Sequence, residues 1–182
     1  LDVLRQPFHY SYQGAQDPSL PPYYACPILG QAGEHLSFRV NRKNITAAQN
    51  DFAEVPRLTP AQVEALDLLD SLYADPQLCY SMQLEQGDLQ LLNNYVAVHS
   101  RTDFEDFPEP ERKRHLLRLW LAIPQSQPLP ADWEAYFGDV RAGAVRGELT
   151  LRFCDALRAE IAAGRSSVVA GSRQASPRAG VI

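Results

Sequence analysis

Apolar and polar residues alternate in several short runs along the chain, and one longer stretch repeats at helical spacing. Phe8-His9-Tyr10-Ser11-Tyr12 and Leu36-Ser37-Phe38-Arg39-Val40 alternate as half-buried strands do, and residues 23–29 read as a third strand. Residues 30–34 read as a hairpin turn between the last two, so residues 1–58 are expected to be strands and loops. A helix is expected from Thr59 to about Ala74. Thr59 suits the N-cap, Pro60 the first helical position, and Gln62 completes a capping box. Val63, Leu66, Leu69, Leu72 and Tyr73 then recur on one face, and Asp75-Pro76 stops the helix. Three further strands are expected at 78–84, 89–99 and 115–123. The last two are joined by an acidic, proline-bearing loop from Arg101 to about Lys113. A proline-rich connection follows Pro124. Residues 148–164 form a second amphipathic pattern ending at Gly164, and residues 165–182 have the composition of a disordered tail.

The pair of strands at 89–99 and 115–123 carries candidate chemistry. Period-two geometry sets His99 on the same face as Tyr95, Asn93 and Leu91. On the second strand, Arg114, Leu116, Arg118 and Trp120 share a face. A guanidinium inside a strand of Leu and Trp calls for an anion, because it cannot escape burial by losing its proton. Non-haem iron oxygenases hold Fe(II) with two histidines and a carboxylate, and leave three positions open for an oxo-acid and dioxygen. The far carboxylate of such an acid suits the planar fork of arginine better than the point charge of lysine. Taken alone, a histidine at a strand end and an arginine within a strand are more often structural. Asn93 and Tyr95 are candidates for substrate contact or for packing.

The wording of this stretch adds to that chemistry. Asn93-Asn94 followed by His99, the loop Arg101-Thr102-Asp103-Phe104-Glu105-Asp106, and Arg114-His115-Leu116-Leu117-Arg118-Leu119-Trp120-Leu121 resemble the C-terminal part of the TauD/TfdA family. These are the taurine-dioxygenase-like and clavaminate-synthase-like enzymes. Arg141-Ala142-Gly143-Ala144-Val145-Arg146-Gly147 is similar to a family C-terminus. The resemblance covers roughly residues 8–147. It implies a mainly β fold with flanking helices, the C-terminal part of a double-stranded β-helix (jelly roll), over residues 1–147. It implies Fe(II) as cofactor, with 2-oxoglutarate and O2 as co-substrates. It makes His99 an iron ligand, gives the distal carboxylate of 2-oxoglutarate to Arg114, and has Arg118 assist or hold an anionic substrate. The implied reaction oxidises a small organic molecule while 2-oxoglutarate is decarboxylated to succinate.

The family's other two ligands form His-x-Asp or His-x-Glu, and this sequence has neither. Ser11, Ser37, Arg101 and Leu117 stand two places after its four histidines. The expectation is therefore a truncated portion of a longer dioxygenase, a reading with which the start at Leu1 agrees. The alternative is a non-catalytic jelly-roll remnant that binds a carboxylate ligand or a protein partner. Exposed sheet edges would then need cover.

Composition narrows the partners. The chain has 182 residues, 45% of them hydrophobic and 21% charged, which suits one ordinary domain. A net charge of −5 and the lack of a basic stripe argue against nucleic acid. No apolar run is long enough for a membrane span. Cys26, Cys79 and Cys154 have no metal-ligand spacing, and three reduced thiols suit a cytoplasmic protein. The expected partner is a small-molecule substrate, with a homo-oligomer left open.

Overall fold

Phe8 and Tyr10 point to one side of a strand whose partner presents Cys26 and Tyr24 opposite them, and this match organises the molecule. Strands β1 (Pro7–Ser11) and β2 (Tyr23–Pro27) pair antiparallel with Phe8 opposite Cys26 and Tyr10 opposite Tyr24. Strands β3 (Leu29–Ala32) and β4 (His35–Phe38) form a second antiparallel pair, with Leu29 opposite Phe38 and Ala32 opposite His35. The computed structural model describes residues 1–146 apart from Ala15 and Asp17. The expected helix at 148–164 and tail at 165–182 lie outside the described residues.

The hairpin between β3 and β4 turns more tightly than the expected 30–34. Its turn residues are Gly33 and Glu34, and Gly33 takes φ +59°. That is the left-handed conformation a two-residue hairpin requires and glycine adopts without penalty. Gly30 lies within β3 instead, where a Cβ would come 2.4 Å from Cγ of Pro130. Its value is close packing, not turning.

Two helices flank the sheets. Helix α1 (Arg42–Asp51) was not expected, since residues 1–58 read as strands and loops. Asn41 caps it by accepting from the Asn44 N–H at 3.1 Å, and Ile45 and Ala48 are buried against the sheet side. The signal was present as a capping residue and an i,i+3 apolar pair, but it is short. Helix α2 (Pro60–Ala74) has the expected capping box, with the Gln62 N–H donating to Thr59 and the Thr59 N–H donating to Gln62. Gln62 also donates from its amide to the Pro7 carbonyl at 3.2 Å, which ties the helix start to β1. Its buried face is Gln62 and Leu66, with Ala65 and Leu69 partly buried; Val63 and Leu72 are exposed, contrary to the expected stripe. Arg42 bridges Asp67 at 2.6 Å and Asp70 at 2.8 Å across the two helices. Such part-exposed pairs add about 0.2–1 kcal/mol each.

The proline-rich stretch after Pro124 is core, not mere connection. Trp133 is wholly buried and Leu129 nearly so, and the Leu129 N–H donates to the Val140 carbonyl at 2.8 Å. The short helix α3 (Glu134–Phe137) lays Tyr136 and Phe137 against β2.

The region between has a different character. No strand forms between residues 78 and 123, so the strands expected at 78–84, 89–99 and 115–123 are corrected to extended or turning chain. Leu89 and Leu117 are each 82% exposed. A strand needs a neighbour to accept its N–H groups, and none of the described strands pairs with these segments. Alternation says which face a strand would bury, not that a ladder forms. The described residues are thus small antiparallel sheets with few helices, and the stacked sheets of a jelly roll are not formed by them.

Candidate functional site

Residues 93–97 are folded by their own side chain. The Asn93 carboxamide oxygen accepts from the Tyr95 N–H at 3.0 Å, and the Asn93 carbonyl accepts from Val96 and Ala97. This local turn replaces the expected strand, because Asn competes for backbone partners where no ladder is present. It is fastened to the sheet by the Phe38 N–H, which donates to the Tyr95 carbonyl at 2.8 Å. Tyr95 is partly buried, edge-on to Phe137 at 5.7 Å, with the Arg146 guanidinium 5.4 Å from its ring. Asn93 is exposed.

The charge of Arg118 reaches His99. His99 is half-buried, and its pKa is lowered first by that burial and second by the Arg118 charge. Burial also lowers the Arg118 pKa. A depressed histidine pKa leaves the ring neutral near pH 7, the form a metal or a proton needs. Arg114 goes elsewhere. Its N–H donates to the Asp106 carboxylate at 2.8 Å and its guanidinium lies 5.3 Å from the Phe104 ring.

Iron would need more than this. Among the described residues no group of three or more His, Cys, Asp or Glu side chains could hold a metal ion. His99 has a cation as its charged neighbour, which disfavours a second one. The residues described do not by themselves fit an iron site.

Sequence reading passed over Arg39. In Leu36-Ser37-Phe38-Arg39-Val40 the apolar set was the expected inner face, yet Leu36 is 54% exposed and Ser37 is 1% exposed. Gln127 explains the inversion by donating to the Ser37 hydroxyl at 2.9 Å and to the Leu36 carbonyl. Arg39 then lies in a nest of rings, 3.8 Å from Tyr136, 4.9 Å from Tyr10 and 5.4 Å from Tyr24. Nothing in a five-residue alternation announces that. A separate groove of about 400 Å³, lined in part by His9, Arg57, Thr59 and Gln62, contains none of the motif residues.

The small antiparallel sheets of the described residues are consistent with the fold of the family that the motif wording resembles. The family model described as taurine catabolism dioxygenase TauD, TfdA family matches residues 1–120, and the chain belongs to that family. Within it the chain is similar to FR-33289 synthase of Streptomyces rubellomurinus (strain ATCC 31215), 32% identical over 139 residues. That alignment takes in 74% of this chain, and the chain spans 40% of the length of that relative. No helix of the described residues is long and apolar enough to cross a membrane.

Proposed function

We propose that this chain is a portion of an Fe(II)/2-oxoglutarate-dependent dioxygenase that oxidises a small organic substrate, with 2-oxoglutarate decarboxylated to succinate. In this reading Arg114 and Arg118 serve the acidic groups of co-substrate and substrate, and His99 is the chain's contribution to the iron site. Asn93 and Tyr95 border the substrate. The observation that carries the reading is the match of residues 1–120 to the TauD, TfdA family, which takes in His99, Arg114 and Arg118. Arginine donates two parallel N–H bonds to one carboxylate, so each arginine fixes both charge and orientation. The described residues do not complete a metal site, so the arginines' holding of the oxo-acid is the part of the reaction this chain's own residues perform.

The test is 2-oxoglutarate binding to the full chain by calorimetry. Arg114→Ala and Arg118→Ala are each expected to weaken it by roughly tenfold or more, the scale of a charged hydrogen-bonded pair. Equal affinity in both variants removes the assignment. An anaerobic titration with Fe(II) and 2-oxoglutarate is expected to give no visible charge-transfer band. A saturable band would show that a metal site does assemble within these residues.

A further inference from the structure

Arg39 is a partly buried cation with no anion beside it among the described residues. Its side chain crosses the face of Tyr136 and meets Tyr10, Tyr24 and, at 5.9 Å, Phe137. One terminal nitrogen, Nη2, donates to the Tyr24 hydroxyl. The other, Nη1, is buried and has no partner. Among the described residues no carboxylate forms an ion pair with it. The neighbours cannot supply charge, because burial raises the Tyr10 and Tyr24 hydroxyls and pushes the Cys26 thiol up to about 12. A guanidinium does not deprotonate, so it stays charged in this nest. Ring faces offset part of the lost hydration, but they accept none of the N–H donors of Nη1.

Other unpaired donors stand nearby. Phe137 is the common neighbour: Trp133 stacks on it at 5.7 Å and Tyr95 meets it edge-on at 5.7 Å. Trp133 Nε1 is buried without a partner, and so is Nε of Arg146, whose guanidinium lies over Tyr95. Three donors, two of them on guanidinium groups, are thus left unfilled around two rings. Burying unfilled donors is costly, and a cluster of them marks a place where acceptors belong. Arg39 directly follows Phe38, whose N–H holds the Tyr95 carbonyl, and His99 lies four residues beyond Tyr95.

We propose that Arg39, with the Tyr24 hydroxyl, is a second oxyanion-binding site, separate from Arg114 and Arg118, that anchors an acidic group of the small-molecule substrate. The oxyanion site stands on the geometry alone; its assignment to substrate rests on the oxygenase reading. A carboxylate or another compact oxyanion accepts from Nη1 while the tyrosine rings cover the guanidinium. The neutral wall makes the site selective for anions and for groups small enough to reach beneath the rings.

The experiment is an NMR titration of the full chain with sodium phosphate and, separately, sodium succinate, following the arginine Nε–Hε and Trp133 indole resonances. Saturable shifts of Arg39 with at least one probe are expected. They should persist in the Arg114→Ala/Arg118→Ala double variant and weaken roughly tenfold or more in Arg39→Gln. Arg39→Lys keeps the charge and the stem yet loses the fork, so it should weaken binding as well. Tyr24→Phe, which removes only a hydroxyl, covers the case in which Arg39→Gln does not fold and is expected to weaken binding several-fold. No saturable shift with either probe overturns the proposal, as does unchanged binding in folded Arg39→Lys and Tyr24→Phe. Shifts lost only in the double variant also overturn it. Failure of 2-oxoglutarate to bind at Arg114 and Arg118, with Arg39 shifts intact, would remove the oxygenase reading and leave the oxyanion site standing.

Discussion

In β1 and β2 an alternating pattern is answered by another chain segment: Phe8 meets Cys26, Tyr10 meets Tyr24, and all four are buried. Residues 115–123 are at least as apolar, with Leu116, Leu117, Leu119, Trp120, Leu121 and Ile123, yet every one of these is 48% exposed or more. The difference is not hydrophobicity. It is whether a neighbouring strand offers carbonyls and N–H groups along the edge and a surface on which to lay the side chains. Residues 7–11 find both in residues 23–27, and the stretch after Pro124 closes over them with Trp133. The motif-bearing region is attached at points, such as the Phe38–Tyr95 hydrogen bond and the contact of Tyr95 with Phe137. The residues proposed to hold co-substrate and iron therefore sit on the less supported part of the molecule.

The comparison is most directly broken at Trp133. Trp133→Ala empties the centre of the core and is expected to destabilise the chain by about 3–5 kcal/mol in urea unfolding. A loss below 1 kcal/mol would mean that the proline-rich stretch is not part of the cooperative unit. Next in size is Thr59→Ala, which deletes the α2 cap and should cost about 1 kcal/mol, read as a shifted urea midpoint without a change in slope. A smaller effect follows from His9, whose pKa burial lowers below the usual 6.5. The folded state then binds fewer protons there than the unfolded chain, so this contribution is present above pH 6.5 and fades as pH falls through the lower folded pKa. His9→Gln should flatten that part of the stability–pH curve; an unchanged slope would show that His9 titrates normally. Smallest of all is Leu117→Ser, expected to shift stability by less than about 0.5 kcal/mol because Leu117 is 82% exposed. A loss approaching that of Trp133→Ala would mean that residues 115–123 are packed and that the contrast between the two regions is false.

Helix α2 was legible to the residue because Thr59, Pro60 and Gln62 encode its start within four positions, and Asp75-Pro76 its end. The strands around residues 8 and 24 were legible for the same local reason. Helix α1 escaped because its cap and two apolar residues are diluted by Arg42, Lys43 and Asn44. The family was legible in the wording of residues 93–121, and the family match bears it out. Its geometry was not legible, since Asn93 turns its own backbone and Arg114 goes to Phe104 and Asp106 instead of sharing a strand face with Arg118.

By itself, then, the chain's sequence determined capping, the β1–β2 faces and the family, all of which depend on neighbours a few positions apart. Only the tertiary structure decided that Ser37 turns inward while Leu36 faces water, that Trp133 closes the core, and that Arg39 lies partly buried among tyrosines with no carboxylate paired to it among the described residues. Those outcomes depend on segments about ninety residues apart, as in the bond from Gln127 to Ser37, and a local pattern carries no information about which distant donor or ring will arrive.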